Sequence, residues 1–214
     1  MGAASAARSV GAMRVLPMGE HALLVEVSST AEVTALHAEL LRRRAAGDLP
    51  PLTEIVPAAR TVLLDGLDTP GDLARELPGW RVPPVRAADG PAVEVPVTYD
   101  GADVGELGAL WGADVAAVHS SFEYRVAYCG FSPGFGYLTG LPERYHAPRR
   151  ATPRTAVPAG SVAVGGEFTG VYPRASPGGW QLIGRTGVVA WDAGRDPAAL
   201  FVPGTRVRFV PERA

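Results

Sequence analysis

Three segments of this chain combine glycine, proline, aromatic residues and arginine in a way that favours a binding site. They read GFSPGFGYL (residues 130–138), ATPRTAVPAGSV (151–162) and YPRASPGGWQLIGRT (172–186). Glycine permits positive φ and proline fixes φ, so segments rich in both are either disordered or folded into closely shaped loops. Their aromatic residues favour folded loops, because disordered chains contain few aromatic residues. Since loops on a rigid scaffold often carry functional groups, we expect the site to lie here.

The cationic chemistry of the chain depends on arginine alone. All 20 basic residues are arginines, so no lysine can serve as a general base or a phosphate ligand. An anion would therefore be bound by arginine or by the backbone N–H groups that glycine leaves accessible. The candidates for this role are Arg149, Arg150, Arg154, Arg174, Arg185, Gly178 and Gly179. For each arginine, an ion pair with a surface carboxylate is the alternative interpretation.

Two residues are predicted to take part in catalysis, His119 as an acid or base and Arg154 as an anion clamp. Histidine suits the first role because its side chain titrates near neutral pH. His119 ends a short predicted helix, where a histidine that only interacts with the helix dipole is an equally good interpretation.

The side chains around these residues predict a pocket for a small ring. Tyr124 and Gln181 carry polar groups that could bind a substrate. Packing within a β-barrel is an equally good interpretation for the aromatic residues. The aromatic candidates are Phe131, Phe135, Tyr137 and Trp180.

Other kinds of chemistry find little support in the sequence. No histidine or carboxylate cluster has the spacing of metal ligands, so we expect no protein-bound metal and any Mg²⁺ to enter with a nucleotide. Ser132 and Ser176 lack the Gly-x-Ser-x-Gly elbow of a serine nucleophile. Cys129 is the single cysteine of the chain, which excludes an intramolecular disulfide and fits a reduced, cytoplasmic setting.

Composition and charge exclude some classes of partner. A net charge of -2 and a hydrophobic content of 47% predict an ordinary core, with no preference for nucleic acid or an anionic membrane. No apolar run approaches the ~20 residues of a transmembrane helix, and residues 1–12 lack the apolar region of a signal peptide. We expect residues 1–12 to form a disordered tail.

The first half of the chain predicts a compact α+β domain over residues 13–82. Ser29 and Glu32 form a capping-box pattern that begins a helix, and Gly47 is typical of its end. The order of elements is β-β-α-β-β-α, which favours one layered sheet. The predicted strands cover 15–18, 22–27, 52–56 and 60–65, with a second helix over 70–77. The proline-rich residues 83–91 predict a linker.

The second half, residues 92–214, predicts a β-barrel or sandwich. A strand over 92–99 is followed by two short helices, which we expect Asp103 and Asp114 to cap. Many short strands with glycine and proline turns then follow. They are predicted at 124–128, 161–164, 170–172, 180–184, 188–191 and 206–210.

Three motifs resemble a known family. HSSFEYRVAYCGFSPGFGYLTGLP (119–142), TPRTAVPAGSVAVGG (152–166) and TGVYPRASPGGWQLIGRT (169–186) are similar to the family of 5-oxoprolinase B subunits, also called allophanate hydrolase subunit 1. The resemblance extends from Met13 to the C-terminus. It implies a small ferredoxin-like N-terminal domain and a cyclophilin-like C-terminal β-barrel.

The same resemblance implies an activity and partners. The resemblance implies that the chain is one subunit of an ATP-dependent amidohydrolase that opens 5-oxo-L-proline to L-glutamate. The implied partners are a C subunit with a similar barrel and an A subunit. We expect the chain to be inactive alone. Two alternatives remain open on the residues: a regulator that inhibits a histidine kinase, since the family includes a sporulation-kinase inhibitor, and a component of an enzyme acting on allophanate or related ureido compounds.

Overall fold

The computed structural model describes residues 10–85 and 92–212. The chain divides into two compact units between Ala88 and Asp89. Most of the tail predicted over residues 1–12 and of the linker predicted over 83–91 lies outside the described residues. Within the described part of the chain, no helix has the length and apolar character that crossing a membrane requires.

The first unit confirms the predicted order of elements, β-β-α-β-β-α. Its four strands form one antiparallel sheet in the order β1-β2-β4-β3. The two hairpins therefore pack side by side, joined through β2 and β4. The elements are β1 (Arg14–Pro17), β2 (Ala22–Glu26), α1 (Thr30–Ala46), β3 (Glu54–Pro57), β4 (Thr61–Asp65) and α2 (Pro70–Glu76).

Helix α1 begins and ends where local chemistry dictates. The Ser29 side chain accepts a hydrogen bond from Glu32 N at 3.3 Å, and Gly47 ends the helix with a left-handed φ of 75°. The Glu32 carboxylate binds Ser28 N at 2.8 Å rather than completing the expected box with Ser29. Leu36 is fully buried in the core of this unit, whereas Leu41, on the same helix, is 45% exposed.

This difference along one helix yields a prediction for stability. Replacing Leu36 by Ala is expected to lower the free energy of unfolding of this unit by about 2–5 kcal/mol, because it leaves a cavity in the core. The matched change Leu41→Ala is expected to cost less than about 0.5 kcal/mol. Urea titration followed by circular dichroism measures both, and equal losses would contradict the assigned core.

The second unit is built around a nearly closed, barrel-like sheet of seven strands. Their order is β12-β9-β10-β7-β6-β13-β5, antiparallel except for the β13–β5 pair. Two backbone hydrogen bonds between Thr98 and Arg185, of 2.9 and 3.0 Å, join the two edges of the sheet. The chain is therefore a mixed α/β protein with a barrel-like second unit. The elements are β5 (Ala92–Val97), α3 (Val104–Trp111), α4 (Val115–Ser120), β6 (Glu123–Cys129), β7 (Gly136–Thr139), β8 (Arg154–Val157), β9 (Ser161–Gly165), β10 (Phe168–Val171), β11 (Ser176–Gly178), β12 (Gln181–Arg185) and β13 (Arg206–Pro211).

Short strands account for the differences from the sequence-based expectation. The strand predicted over 188–191 is wrong, since only an isolated bridge between Trp191 and Ala199 forms there. Strands β7, β8 and β11 lie in segments that we expected to be loops. Each has three or four residues, too few for an alternating pattern, and each is stabilised by pairing with a strand elsewhere in the unit.

A bulge in β6 decides which side chains face outward. Val126 pairs with Leu138 in the barrel core, but the register shifts before Tyr128, which pairs with Tyr137. The rings of the two tyrosines stack at 4.4 Å between centroids. A bulge adds one residue and so turns the next side chain to the other face. The result is an aromatic surface on the outside of the barrel.

Candidate functional site

The aromatic surface contains a small pocket of about 100 Å³. Ligand pockets for drug-sized molecules usually exceed about 300 Å³, so this one suits a small group. Its walls come from two of the three segments singled out in the sequence, 130–138 and 172–186, together with Arg149. The lining residues are Phe131, Phe135, Tyr137, Arg149, Tyr172, Pro177, Gly178, Gly179 and Trp180.

Phe135 is the centre of this pocket wall. Its ring lies 5.0 Å from Tyr137, 5.3 Å from Tyr172 and 5.4 Å from Trp180, each with the rings edge to face. Edge-to-face contacts align the positive ring edge with the negative ring face and add to the burial of apolar area. These side chains therefore form a rigid, largely apolar wall.

Glycines allow the rings to lie flat against the backbone. A Cβ atom on Gly165 would lie 2.7 Å from Cδ1 of Trp180, and one on Gly178 would overlap the hydroxyl of Tyr172. Any other residue at these positions must displace a pocket ring. The shape of the pocket thus depends on glycine as much as on the aromatic residues.

Phe131 stands at the mouth of the pocket in an unusual conformation. Among the described residues it is the one non-glycine residue with a positive φ, of 67°, and its side chain is 58% exposed. A bulky residue rarely adopts this conformation, which costs of order 1–3 kcal/mol. Hydrogen bonds from Ser132 N to Gly130 O and from Phe135 N to Ser132 O hold the loop. Such strain, combined with an exposed aromatic side chain, is typical of functional loops.

A buried carboxylate anchors the arginines beside the pocket. Asp103 does not cap α3 through its side chain, contrary to expectation. Its Oδ1 instead accepts hydrogen bonds from Arg150 Nη1 and Arg154 Nη2, both at 2.7 Å, and its Oδ2 accepts one from Leu182 N at 2.6 Å. Burial alone would raise the pKa of Asp103, but hydrogen bonds from Arg154 and Leu182 and the nearby arginine charges outweigh it, so the pKa is lowered.

The arginine cluster and the pocket share their backbone. Arg150 N donates to Gly179 O at 2.7 Å, and Arg154 on β8 pairs with Gly178 on β11. Both glycines line the pocket. Arg149, which is exposed, brings a further guanidinium group directly to the pocket.

His119 lies away from the pocket, within the barrel core. It is fully buried, and the inward-facing Thr169 on β10 contacts His119 Nε2 at 2.9 Å. The neighbouring Phe168 and Gly170 face outward, toward the aromatic rings. The sheet therefore separates His119 from the pocket, and its burial favours a structural role.

The hydrogen bonds of His119 define its neutral tautomer. The Thr169 hydroxyl donates to Ala163 O at 3.0 Å, so Thr169 Oγ1 accepts from Nε2–H of the imidazole. Nδ1 then accepts from the Tyr99 hydroxyl at 2.8 Å. Burial lowers the pKa of His119 to about 3. The imidazole is thus neutral at every pH at which the protein would normally work.

The remaining predicted site residues are dispersed. Tyr124 is buried in the core and donates to His119 O, and Gln181 Nε2 donates to Pro148 O at 3.0 Å. Arg185 pairs with Asp100 at the seam of the barrel, and the exposed Arg174 does not line the pocket. The structure thus gathers one subset of the predicted residues at the pocket, with Arg154 beside it. The subset is Phe131, Phe135, Tyr137, Arg149, Gly178, Gly179 and Trp180.

Two kinds of site residue escape prediction. Tyr172 belongs to a motif, but nothing in the sequence places its ring against Phe135. Asp103 carries no signal beyond its position at a helix start, which a capping role explains. Among the described residues, no group of three or more histidine, cysteine or carboxylate side chains could hold a metal ion.

A larger cavity elsewhere in the second unit offers fewer groups for binding a ligand. It measures about 260 Å³ and lies along β5 and β13. Its charged side chains neutralise one another, since Glu123 lies 3.8 Å from both Arg206 and Arg208. It contains no residue of the motifs' glycine- and proline-rich loops, so the aromatic pocket is the better candidate site.

Comparisons with known proteins identify similar sequences and a similar fold. The family model "Carboxyltransferase domain, subdomain C and D" matches residues 13–201. A protein of Escherichia coli O157:H7, named as the B subunit of 5-oxoprolinase, is 44% identical over 177 residues, 78% of this chain and 81% of its own length. One of Haemophilus influenzae with the same name is 44% identical over 139 residues, 62% of this chain and 65% of its own length. The crystal structure of TTHA0988 is similar with a TM-score of 0.71 and 36% identity, over 90% of this chain and 40% of that longer chain.

The chain belongs to the carboxyltransferase-domain family of subdomains C and D. Within it, the chain is a member of the family of 5-oxoprolinase B subunits. This confirms the resemblance seen in the three motifs.

Burial of His119 predicts a pH dependence of stability. The folded pKa of about 3 lies below the value near 6.5 of an unfolded histidine, so the stabilisation is fully present above pH 6.5. It is lost as the pH falls toward 3, by up to about 1.4 kcal/mol per unit. We expect His119→Gln to remove this slope and the exposed His21→Gln to retain it, in urea titrations at several pH values. An unchanged slope in His119→Gln would contradict the assignment.

The glycines beneath the rings yield a second prediction. Gly165→Ala is expected to lower the free energy of unfolding by about 1–3 kcal/mol, because the new methyl group must displace Trp180. Gly187→Ala is the control, since a Cβ there meets open space and is expected to be neutral or slightly stabilising. Chemical denaturation measures both, and a neutral Gly165→Ala would show that the ring is not held against the backbone.

Proposed function

We propose that this chain is the B subunit of an ATP-dependent 5-oxoprolinase, which opens 5-oxo-L-proline to L-glutamate. The observation that carries the proposal is the 44% identity to the Escherichia coli protein of that name, over 81% of that protein's length. No observation favours the alternatives, a histidine-kinase regulator or a component of an enzyme acting on ureido compounds.

The pocket suits a small cyclic amide. The methylene groups of a five-membered lactam can pack on the apolar wall around Phe135, and its carboxylate can bind the guanidinium of Arg149. A pocket of about 100 Å³ leaves little space for a larger ligand. We therefore place the ring in this pocket and assign Arg149 to the substrate carboxylate.

ATP supplies the activation that an unstrained lactam lacks, since phosphorylation of the amide oxygen makes the carbonyl carbon a better electrophile. The group beside the pocket that fits a phosphate is the guanidinium of Arg154. The pocket is too small to enclose an adenosine, so we propose that another component of the complex binds the rest of the nucleotide. Mg²⁺ would enter with the nucleotide.

A partner is needed to complete the site. Within the described residues the pocket offers no general base, because His119 is on the other face of the sheet. The solved TTHA0988 chain matches this chain over only 40% of its length, so its matching part is joined to a longer additional segment. We propose that a C subunit with a similar barrel, together with an A subunit, supplies the missing groups, and that the complex is cytoplasmic.

We also propose the finer fold names. Moving β1 from the start to the end of the first unit converts its order to β-α-β-β-α-β, the ferredoxin-like motif. The first unit is thus a permuted ferredoxin-like domain. The nearly closed sheet of the second unit is a cyclophilin-like barrel.

The test is co-expression of this chain with the A and C subunits and an assay of glutamate release from 5-oxo-L-proline. We expect release that requires ATP and that disappears when this chain is omitted. A stable complex that releases no glutamate would refute the proposed substrate while preserving the partners.

Arg149→Gln tests the role of the pocket in the active complex. We expect kcat/KM for 5-oxo-L-proline to fall about 10- to 100-fold, the cost of one charged hydrogen bond. Arg75→Gln, on the exposed face of α2, is the control and is expected to leave activity unchanged. Equal activity of both variants would remove Arg149 from the mechanism.

A further inference from the structure

We propose that Asp103 is the positioning residue of an oxyanion-binding site formed by Arg150 and Arg154. Only the identity of the oxyanion, a substrate carboxylate or a nucleotide phosphate, rests on the proposed function. Carboxylate and phosphate groups both present two negatively charged oxygens that can accept a pair of hydrogen bonds from a guanidinium group.

The first step of the argument is the fixed position of the carboxylate. Asp103 is 2% exposed, and both of its oxygens accept hydrogen bonds. Its backbone N–H also donates to Leu182 O at 3.0 Å. Two hydrogen bonds to Leu182 of strand β12 thus fix Asp103, and its carboxylate in turn sets where the two guanidinium groups lie.

The second step is the charge of the cluster. Two guanidinium groups share one carboxylate oxygen, which leaves a net charge of +1. No other carboxylate of the described residues lies within 4.0 Å of either group. The two side chains are only 33% and 22% exposed, so solvent screens this charge incompletely. An anion at this position would be bound by an excess positive charge.

The third step is the unused hydrogen-bonding capacity. Arg150 Nε and Arg154 Nη1 are buried without a hydrogen-bond partner, as is Gln181 Oε1 on β12. Buried polar atoms are nearly always bonded, so orphaned donors on two adjacent guanidinium groups point to a ligand.

A second carboxylate with two arginines shows what a structural cluster looks like. Glu39 on α1 binds Arg42 through both of its oxygens and also accepts from Arg43 Nε at 2.7 Å. Arg42 is 58% exposed, and neither arginine has an orphaned buried nitrogen. The cluster at Asp103 differs in burial, in its free donors and in its place beside a pocket.

The fourth step is that place. Arg154 pairs in register with Gly178, and the Arg150 backbone binds Gly179, so both arginines border the aromatic pocket. Burial raises the pKa of the pocket residue Tyr172, and the charges of Arg149 and Arg154 oppose that rise. A ligand in the pocket is therefore within the field of the cluster.

Titration of the full chain tests the site directly. Binding of inorganic phosphate and of 5-oxo-L-proline is measured separately by calorimetry. We expect at least one of them to bind, and Arg154→Gln and Asp103→Asn each to weaken that binding tenfold or more. Phosphate binding alone assigns the site to the nucleotide, and 5-oxo-L-proline binding alone assigns it to the substrate. Absence of binding by both at millimolar concentration would overturn the proposal, whether or not the assembled complex releases glutamate.

Matched variants separate positioning from stability. Glu39→Gln removes the other two-arginine carboxylate and is expected to leave anion binding unchanged. Leu107→Ala, in the core face of α3, is expected to destabilise the unit without changing affinity. Wild-type affinity in folded Asp103→Asn would overturn the positioning role. If Asp103→Asn fails to fold, Arg150→Gln is measured in its place, and wild-type affinity in that variant would overturn the proposed site.

The active complex supplies a second readout. We expect Asp103→Asn to raise KM more than it lowers kcat, the KM for ATP if phosphate bound in the titration and the KM for 5-oxo-L-proline if that compound bound. Because Asp103 acts through the arginines, its effect should largely vanish in an Arg150→Gln, Arg154→Gln background. A full additive effect in that background would show that Asp103 acts by another route.

Discussion

The site depends on one buried negative charge, the Asp103 carboxylate. It ties the start of α3 to β12 and to the segment that enters β8, three parts of the chain that meet at this carboxylate. A buried carboxylate is stable only when its oxygens are paired, so the segments must meet in one arrangement. The same arrangement positions the pocket wall, because Arg154 pairs with Gly178 and Arg150 N donates to Gly179 O.

The pleat of the sheet imposes the second constraint. Successive side chains of β10 point to opposite faces, so Thr169 holds the buried histidine while its neighbours border the aromatic rings. The His119 imidazole, whose residue type would suit an acid or base, is thereby kept in the barrel core. Among the described residues, the pocket on the outer face is lined by aromatic rings, the hydroxyls of Tyr137 and Tyr172, glycine backbone and the Arg149 guanidinium, a set suited to binding.

Local signals explain what the sequence could predict. Ser29 and Gly47 act on their own neighbours, so the limits of α1 follow from the residues themselves, and the motifs correctly identify most of the pocket lining. Asp103 is different, because its partners lie 47 and 51 residues away and a helix-start aspartate already has a local explanation. The residue type of His119 suggests acid–base chemistry, whereas the strands around it determine its role.

The bulge in β6 determines which of its side chains reach the aromatic surface. One extra residue between Val126 and Tyr128 puts the Val126 side chain in the barrel core and the Tyr128 side chain on the outer face of the sheet. Without the bulge these two side chains would share a face, because residues two apart in a regular strand point the same way, and Tyr128 would turn into the core. The bulge therefore decides which side chains of β6 belong to the barrel core and which support the aromatic surface. A substitution that keeps the bulge leaves this assignment unchanged.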